Sequence, residues 1–146
     1  MYQTLLVPLD GSPRAEGILP HVENLAIQFK SKVIFLQVWT LHDAIIQVDS
    51  TDDYILDYNQ KKEMISKYLA GIKEGFQKKG IESTCFVEMG DAVETIIAVA
   101  QRENADLIAI ASHGRSGLSR VFYGSVAAGI MQKIDRPMII IRTRNI

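Results

Sequence analysis

The chain from Asp106 to Ser125 reads D-L-I-A-I-A-S-H-G-R-S-G-L-S-R-V-F-Y-G-S. Asp106–Ile110 is a short apolar run of strand length, and Val126–Ile134 carries the spacing of an amphipathic helix. Between them Ala111–Ser125 reads as a glycine-bearing, basic, hydroxyl-rich loop that leaves a strand end and delivers the chain to a helix start. An anion site needs those parts. Glycine lets backbone approach a ligand with no Cβ in the way. The unpaired N–H groups and the dipole at a helix start favour negative charge. His113, Arg115 and Arg120 add cations or donors, and Ser112, Ser116, Ser119 and Ser125 add hydroxyls. The plain alternative is a solvated surface loop. A segment of about a dozen residues between a buried strand and a helix start favours function instead.

Outward from that stretch, strand and helix patterns alternate. Thr4–Leu9 is an apolar strand ending near Pro8, which cannot donate to a ladder. Asp10-Gly11-Ser12-Pro13 turns the chain, with Ser12 placed to cap a helix and Pro13 at its first position. Ile18, Val22, Leu25 and Phe29 form that helix's apolar face, and His21 reads as a surface or partly buried helix residue rather than a ligand. Asp10 is either a turn residue or, at the carboxyl end of a parallel strand, a residue of a ligand crevice. Lys32–Trp39 is a second strand. Thr40–Asp53 lacks periodicity and reads as a mobile connection. Its scattered Asp43, Asp49, Asp52 and Asp53 suit solvent better than a metal.

Tyr54–Lys79 is a long helix with Ile65, Tyr68, Leu69, Ile72 and Phe76 as its core stripe and Gly80 as terminator. Ile81–Met89 is a third strand, expected toward a sheet edge. Asp91 and Glu94 open the next helix as a capping box, and Val93, Ile96, Ile97 and Ala100 give it a buried face. Met138–Arg142 is an apolar fifth strand. Such alternation implies right-handed crossovers and a parallel sheet covered on both faces.

Composition narrows the function classes. A chain of 146 residues, 47% apolar and 23% charged, suits one domain, 1–146. A net charge of -1 gives no global attraction to nucleic acid or an anionic membrane, so any anion site is local. The single cysteine, Cys85, forms no internal disulfide, reads as a buried inert thiol and fits a reducing compartment. No apolar run reaches the ~20 residues of a membrane span, and the N-terminus enters a strand directly. The expectation is a cytoplasmic protein that binds neither nucleic acid nor membrane.

The long loop resembles the nucleotide loop of the universal stress protein family: Gly, two residues, Gly, nine residues, then Gly-Ser or Gly-Thr. Gly114 stands for the second glycine, Arg115–Tyr123 are the nine, and Gly124-Ser125 close the motif. Ala111 holds the first glycine's place. The opening L-L-V-P-L-D-G-S and the closing R-P-M-I-I-I-R also fit, so the resemblance covers the whole chain. It implies a doubly wound α/β fold, a five-stranded parallel sheet in the order 3-2-1-4-5 with helices on both faces. In that order the first and fourth strands meet at the switch point where ligands bind.

The resemblance also implies an ATP-binding stress-response module, at most a slow ATPase, with ADP or AMP as other ligands and Mg²⁺ accompanying the phosphates. It implies that Val38 offers backbone groups to the adenine, with Pro8 and Asp10 near the base. Ala111 and Gly114 line the ribose and phosphates, and Gly124, Ser125 and Val126 hold the phosphate chain. For hydrolysis, His113 or Asp10 could orient water and Arg115 could stabilise charge, but no G-x-x-x-x-G-K-[ST] loop is present. A twofold homodimer through Met138–Ile141 is a further implication, beside an unidentified protein partner. Two other readings stay open: a nucleotide-free interaction module, and a phosphoacceptor receiver domain, against which Asp91 after the third strand reads better as a cap and the fifth strand ends in Arg142 rather than a lysine.

Overall fold

The computed structural model describes residues 1–40, 51–114 and 124–144, with 51–57, 113, 114 and 144 described by backbone alone. Among these, strands and helices alternate along the chain. β1 (Thr4–Pro8) leads through a 3-10 turn (Ala15–Ile18) to α1 (Leu19–Phe29) and β2 (Lys32–Trp39). Then come α2 (Thr51–Gln77), β3 (Ser83–Met89), α3 (Ala92–Arg102), β4 (Leu107–Gly114), α4 (Ser125–Lys133) and β5 (Met138–Arg144). All five strands pair in parallel in the order β3-β2-β1-β4-β5, as expected.

Both faces of the sheet are covered, which is why β1 and β2 read as continuous apolar runs. Leu5, Val7, Val33 and Phe35 point into one layer with Val22 of α1 and Leu69 and Phe76 of α2. Leu6, Ile34, Leu36 and Ile108 point into the other, against Ile96 and Val99 of α3 and Ile130 of α4. Phe35 and Phe76 meet edge to face at 5.0 Å, an arrangement favoured by the ring quadrupoles.

Some boundaries differ from the sequence reading. Ser12 and Pro13 do not start α1, which begins only at Leu19 with Ile18 as its N-cap; Ser12 Oγ instead accepts from Ala15 N, the first residue of the 3-10 turn, at 3.1 Å. Ile18 and Val22 are fully buried, whereas Phe29 is 38% exposed. Lys30 enters the left-handed region and ends α1 there, leaving Phe29 beside the Tyr2 ring rather than under the sheet. The helix expected from Tyr54 starts at Thr51. Ile81 precedes β3 because its amide closes the end of α2, donating to Phe76 O beside Gly80 at φ +78°.

The largest difference lies at the organising stretch. β4 does not end at Ile110; it runs to Gly114, in register with β5 from Ile108↔Met138 to Gly114↔Arg144. Pairing along β5, which extends to Arg144, overrides the weak strand preference of A-S-H-G. Asp106, expected inside the strand, lies before it and accepts from Gln3 N at 2.8 Å and Thr4 N at 3.0 Å. It thereby ties the start of β4 to the start of β1.

β1 stops for a reason visible in its sequence. Successive residues of a strand turn their N–H and C=O to opposite neighbours. Leu9 N faces β2, donating to Leu36 O at 2.8 Å, so Pro8 faces β4. Proline has no N–H to give, and the β1–β4 pairing already ends at Leu6↔Ile108.

Candidate functional site

Past Pro8 the chain leaves the sheet while β2 and β4 run on, so a gap opens between them. The walls of that gap are unpaired backbone. Leu36 O accepts from Leu9 N on the β1 side, and Trp39 O accepts from Gly90 N on the β3 side at 3.1 Å. By the same alternation, Val38 turns its N–H and C=O into the space β1 has vacated. On the opposite wall Ile108 N donates to Pro137 O, toward β5. Ala111 and His113, of opposite parity, therefore turn their backbone groups toward the gap.

The start of α4 closes the third side. Gly124 is its N-cap at φ 79°, ψ 153°, a conformation essentially reserved for glycine, and no side chain caps the helix. The first helical bond is Ala128 N to Gly124 O at 3.0 Å. The amides before Ala128 thus lack partners within the helix. A cavity of about 210 Å³ lies between these walls. Its lining includes Pro8, Asp10, Val38, Ala111, Gly124, Ser125 and Val126. The fold brings these residues, far apart in sequence, to one cleft.

The remaining expected residues divide. Gly114 and His113 end β4, where only their backbone is described. Arg115, with Ser116, Ser119 and Arg120, lies outside the described residues. Arg14 and the apolar Ile96 line the cleft without having been assigned to it, whereas Ser112, read as one of the hydroxyls of the loop, lines it from β4 beside Ile110.

Asp10 is the one acid and Arg14 the one base among the described lining residues. Asp10 Oδ1 accepts from Ser12 N at 2.9 Å and Ser12 Oγ at 2.5 Å, while Oδ2 accepts from Arg14 Nη2 at 3.2 Å. Gly11, at φ +84°, permits the turn that brings these groups around. The cleft therefore holds a tethered ion pair rather than a free carboxylate. A sequence signal for Arg14 existed: it follows Asp10 by four residues through a turn. Ser112 continues the alternation of Ile108 and Ile110 toward the α3/α4 layer. It is only 2% exposed, and its Oγ has no hydrogen-bond partner.

Other candidates from the sequence resolve as structure. Asp91 caps α3, accepting from Glu94 N at 2.9 Å, as the capping box predicts. Cys85 is partly buried; its Sγ donates to Leu69 O at 3.4 Å, and burial pushes its thiol pKa up against the lesser pull of Lys73. Among the described residues no cluster of three or more His, Cys, Asp or Glu could hold a metal. None of the described helices is long and apolar enough to cross a membrane.

Comparison with known proteins agrees with the fold. Universal stress protein MJ0577 of Methanocaldococcus jannaschii is 24% identical over 158 residues, covering 99% of this chain and 98% of its own. A solved structure of MJ0577 superposes with a TM-score of 0.85 at 26% identity, covering 99% of each chain. More distant structures share the fold. A universal stress protein in complex with cAMP has a TM-score of 0.63 at 19% identity, covering 98% of each chain. One from Archaeoglobus fulgidus in complex with dAMP has a TM-score of 0.65 at 19% identity, covering 96% of this chain and 98% of its own. The model of the universal stress protein family matches residues 1–142, and the chain belongs to that family.

Proposed function

We propose that this protein is an adenine-nucleotide-binding regulatory module whose ligand is ATP, with hydrolysis at most slow. One observation carries the reading: unpaired backbone groups of β2, β4 and the α4 start converge on one cleft. Val38 offers a donor and an acceptor side by side, matching an adenine edge that presents a ring nitrogen beside an amino group. The open amides at Ser125–Ala127 suit phosphate oxygens. Relatives of the same fold complexed with cAMP and dAMP support an adenine ligand. At about 210 Å³ the cavity is smaller than the ~300–1,000 Å³ of drug-sized ligand sites. It suits the nucleoside, with the phosphates at the α4 mouth.

Asp10 already accepts from Ser12 and Arg14, so Mg²⁺ would be held chiefly by the nucleotide's own oxygens. That engagement also argues against Asp10 as a free base for water attack, and favours binding over turnover. The outer edge of β5 is unpaired in the sheet and supports assembly of a second copy along Met138–Ile141.

The test is to release and identify any small molecule that purifies with the protein, then titrate ATP, ADP, AMP and GTP by calorimetry. The expected result is adenine-selective binding, with a melting temperature that rises about 5–11 °C at a hundredfold excess over Kd. Absence of binding at millimolar nucleotide would overturn this reading and favour the nucleotide-free interaction module.

A further inference from the structure

Among the described residues lining the cleft, the Ser112 hydroxyl is the buried side-chain group without a hydrogen-bond partner. It sits on β4 beyond the end of β1, 2% exposed, among the residues lining the cavity, and its Oγ has no partner. Its backbone is used elsewhere: Ser112 O accepts from Thr143 Oγ1 at 3.3 Å on the β5 side. Its side chain lies on the same sheet face as α4, whose uncapped N-terminus supplies Gly124, Ser125 and Val126 to the same cavity. A buried hydroxyl with no partner destabilises a fold, because desolvation is not compensated. A serine in that position is accounted for when something that comes and goes provides the partner.

We infer that Ser112 Oγ is a specificity-determining ligand contact, donating its hydrogen bond to a phosphate oxygen held at the α4 N-terminus. The inference rests on the adenine-nucleotide reading of the cleft and goes beyond it by assigning a side-chain donor for the anionic part of the ligand. A hydroxyl donor facing helix-terminal amides distinguishes a phosphorylated nucleoside from the bare nucleoside, since only the former brings an oxyanion to that corner.

Ser112→Ala separates this role from a structural one because the two predict opposite signs. With the hydroxyl unpartnered in the free protein, its removal leaves the melting temperature unchanged or raises it by about 2–4 °C. ATP affinity falls tenfold or more, as for loss of a hydrogen bond to a charged group, while adenosine affinity stays within twofold. Ser83 provides the control. It is also buried, 4% exposed, with an unpartnered Oγ, but lies at the far end of the sheet opposite Val33. Ser83→Ala is expected to match the stability change of Ser112→Ala and leave both affinities untouched. Ser112→Cys, close in shape with a weaker donor, gives a second reading and should fall between wild type and alanine for ATP.

Unchanged ATP binding in Ser112→Ala overturns the inference. So does an equal loss for adenosine and ATP, which would assign the hydroxyl to the nucleoside. A melting temperature several degrees lower in the free variant would reveal a structural partner and overturn it too. Failure of the wild type to bind either ligand removes the nucleotide reading itself, and the inference with it.

Discussion

Gly124→Asp tests the corner on which the proposed site depends. Gly124 sits at φ 79°, ψ 153°, where a non-glycine residue costs about 1–3 kcal/mol. Aspartate ordinarily stabilises a helix as its N-cap, but it does so from extended backbone with negative φ. At the observed dihedrals that benefit is out of reach, so the strain is not offset. For a chain of this length, 1–3 kcal/mol lowers the melting temperature by roughly 2–12 °C. The effect on ligand is separate. A carboxylate ~4 Å from a phosphate is repelled by about 4 kcal/mol at an effective dielectric near 20, before salt screening. Tenfold weaker ATP binding, or about 1.4 kcal/mol, is therefore a floor.

Gly80→Ala is the matched control. Gly80 has nearly the same φ, +78°, with nothing within 4 Å of an added Cβ, and lies at the end of α2 away from the cleft. It should lose stability and keep wild-type ATP affinity. Calorimetric titration of both variants, alongside their melting curves, gives the answer. If folded Gly124→Asp binds ATP as tightly as wild type, the α4 start is not the phosphate site and the reasoning fails.

Arg14→Gln removes the one basic side chain on the described lining and should weaken ATP binding about three- to tenfold, with a smaller salt dependence between 50 and 200 mM. An unchanged salt slope would place Arg14 outside the ligand's reach. Tyr68 donates to Glu16 Oε2 at 2.9 Å, and burial first, then Glu16, pushes its pKa well above the ordinary tyrosine value of 10.0. An unfolded tyrosine ionises near pH 10 while the folded one keeps its proton, so this stabilisation is complete below pH 10 and is lost as pH rises beyond it. Denaturant midpoints of Tyr68→Phe should consequently fall less steeply than wild type from pH 10 to 11. Sedimentation at tens of micromolar should give a dimer, and a monomer at that concentration would rule out pairing through β5.

The parts of this fold that were legible in sequence are those fixed by local chemistry. β2 reads correctly because both of its faces are buried, which makes V-I-F-L within K-V-I-F-L-Q-V-W a continuous apolar run. Gly80 and Asp91 read correctly because a helix end needs left-handed backbone and a helix start needs a cap. At the candidate cleft, Pro8 was placed at a strand end by its missing N–H, and Gly124 by the closing Gly-Ser of the loop motif. The rest depends on register between distant strands. A-S-H-G becomes strand only because β5 runs beside it, and that turns Ser112 from a loop hydroxyl into a buried orphan. Arg14 belongs to the cleft because a 3-10 turn delays α1, and nothing in the apolar spacing of Ile18 and Val22 distinguishes that turn from a helix start.

The two ends of the sheet differ in how completely their polar groups are paired, and that difference connects fold to function. At the amino end the chain is stitched across strands. Asp106 accepts from Gln3 and Thr4, the Ser31 hydroxyl donates to Tyr2 O, and the Arg136 guanidinium donates to Ala100 O and Ala105 O. At the carboxyl end β1 terminates in a residue with no donor, α4 begins on a strained glycine without a cap, and Ser112 lacks a partner. Each buried unsatisfied group costs about 1–3 kcal/mol. A domain of ordinary stability has only 5–15 kcal/mol in hand, so it can carry few of them. Ser83 Oγ is an orphan at the amino end as well, but the cleft confines Ser112 together with the open α4 amides, while cross-strand hydrogen bonds at the opposite end hold the register. The same confinement means that one ligand can satisfy several of these groups at once, so affinity and thermal stabilisation should be lost together when any one of its contacts is removed.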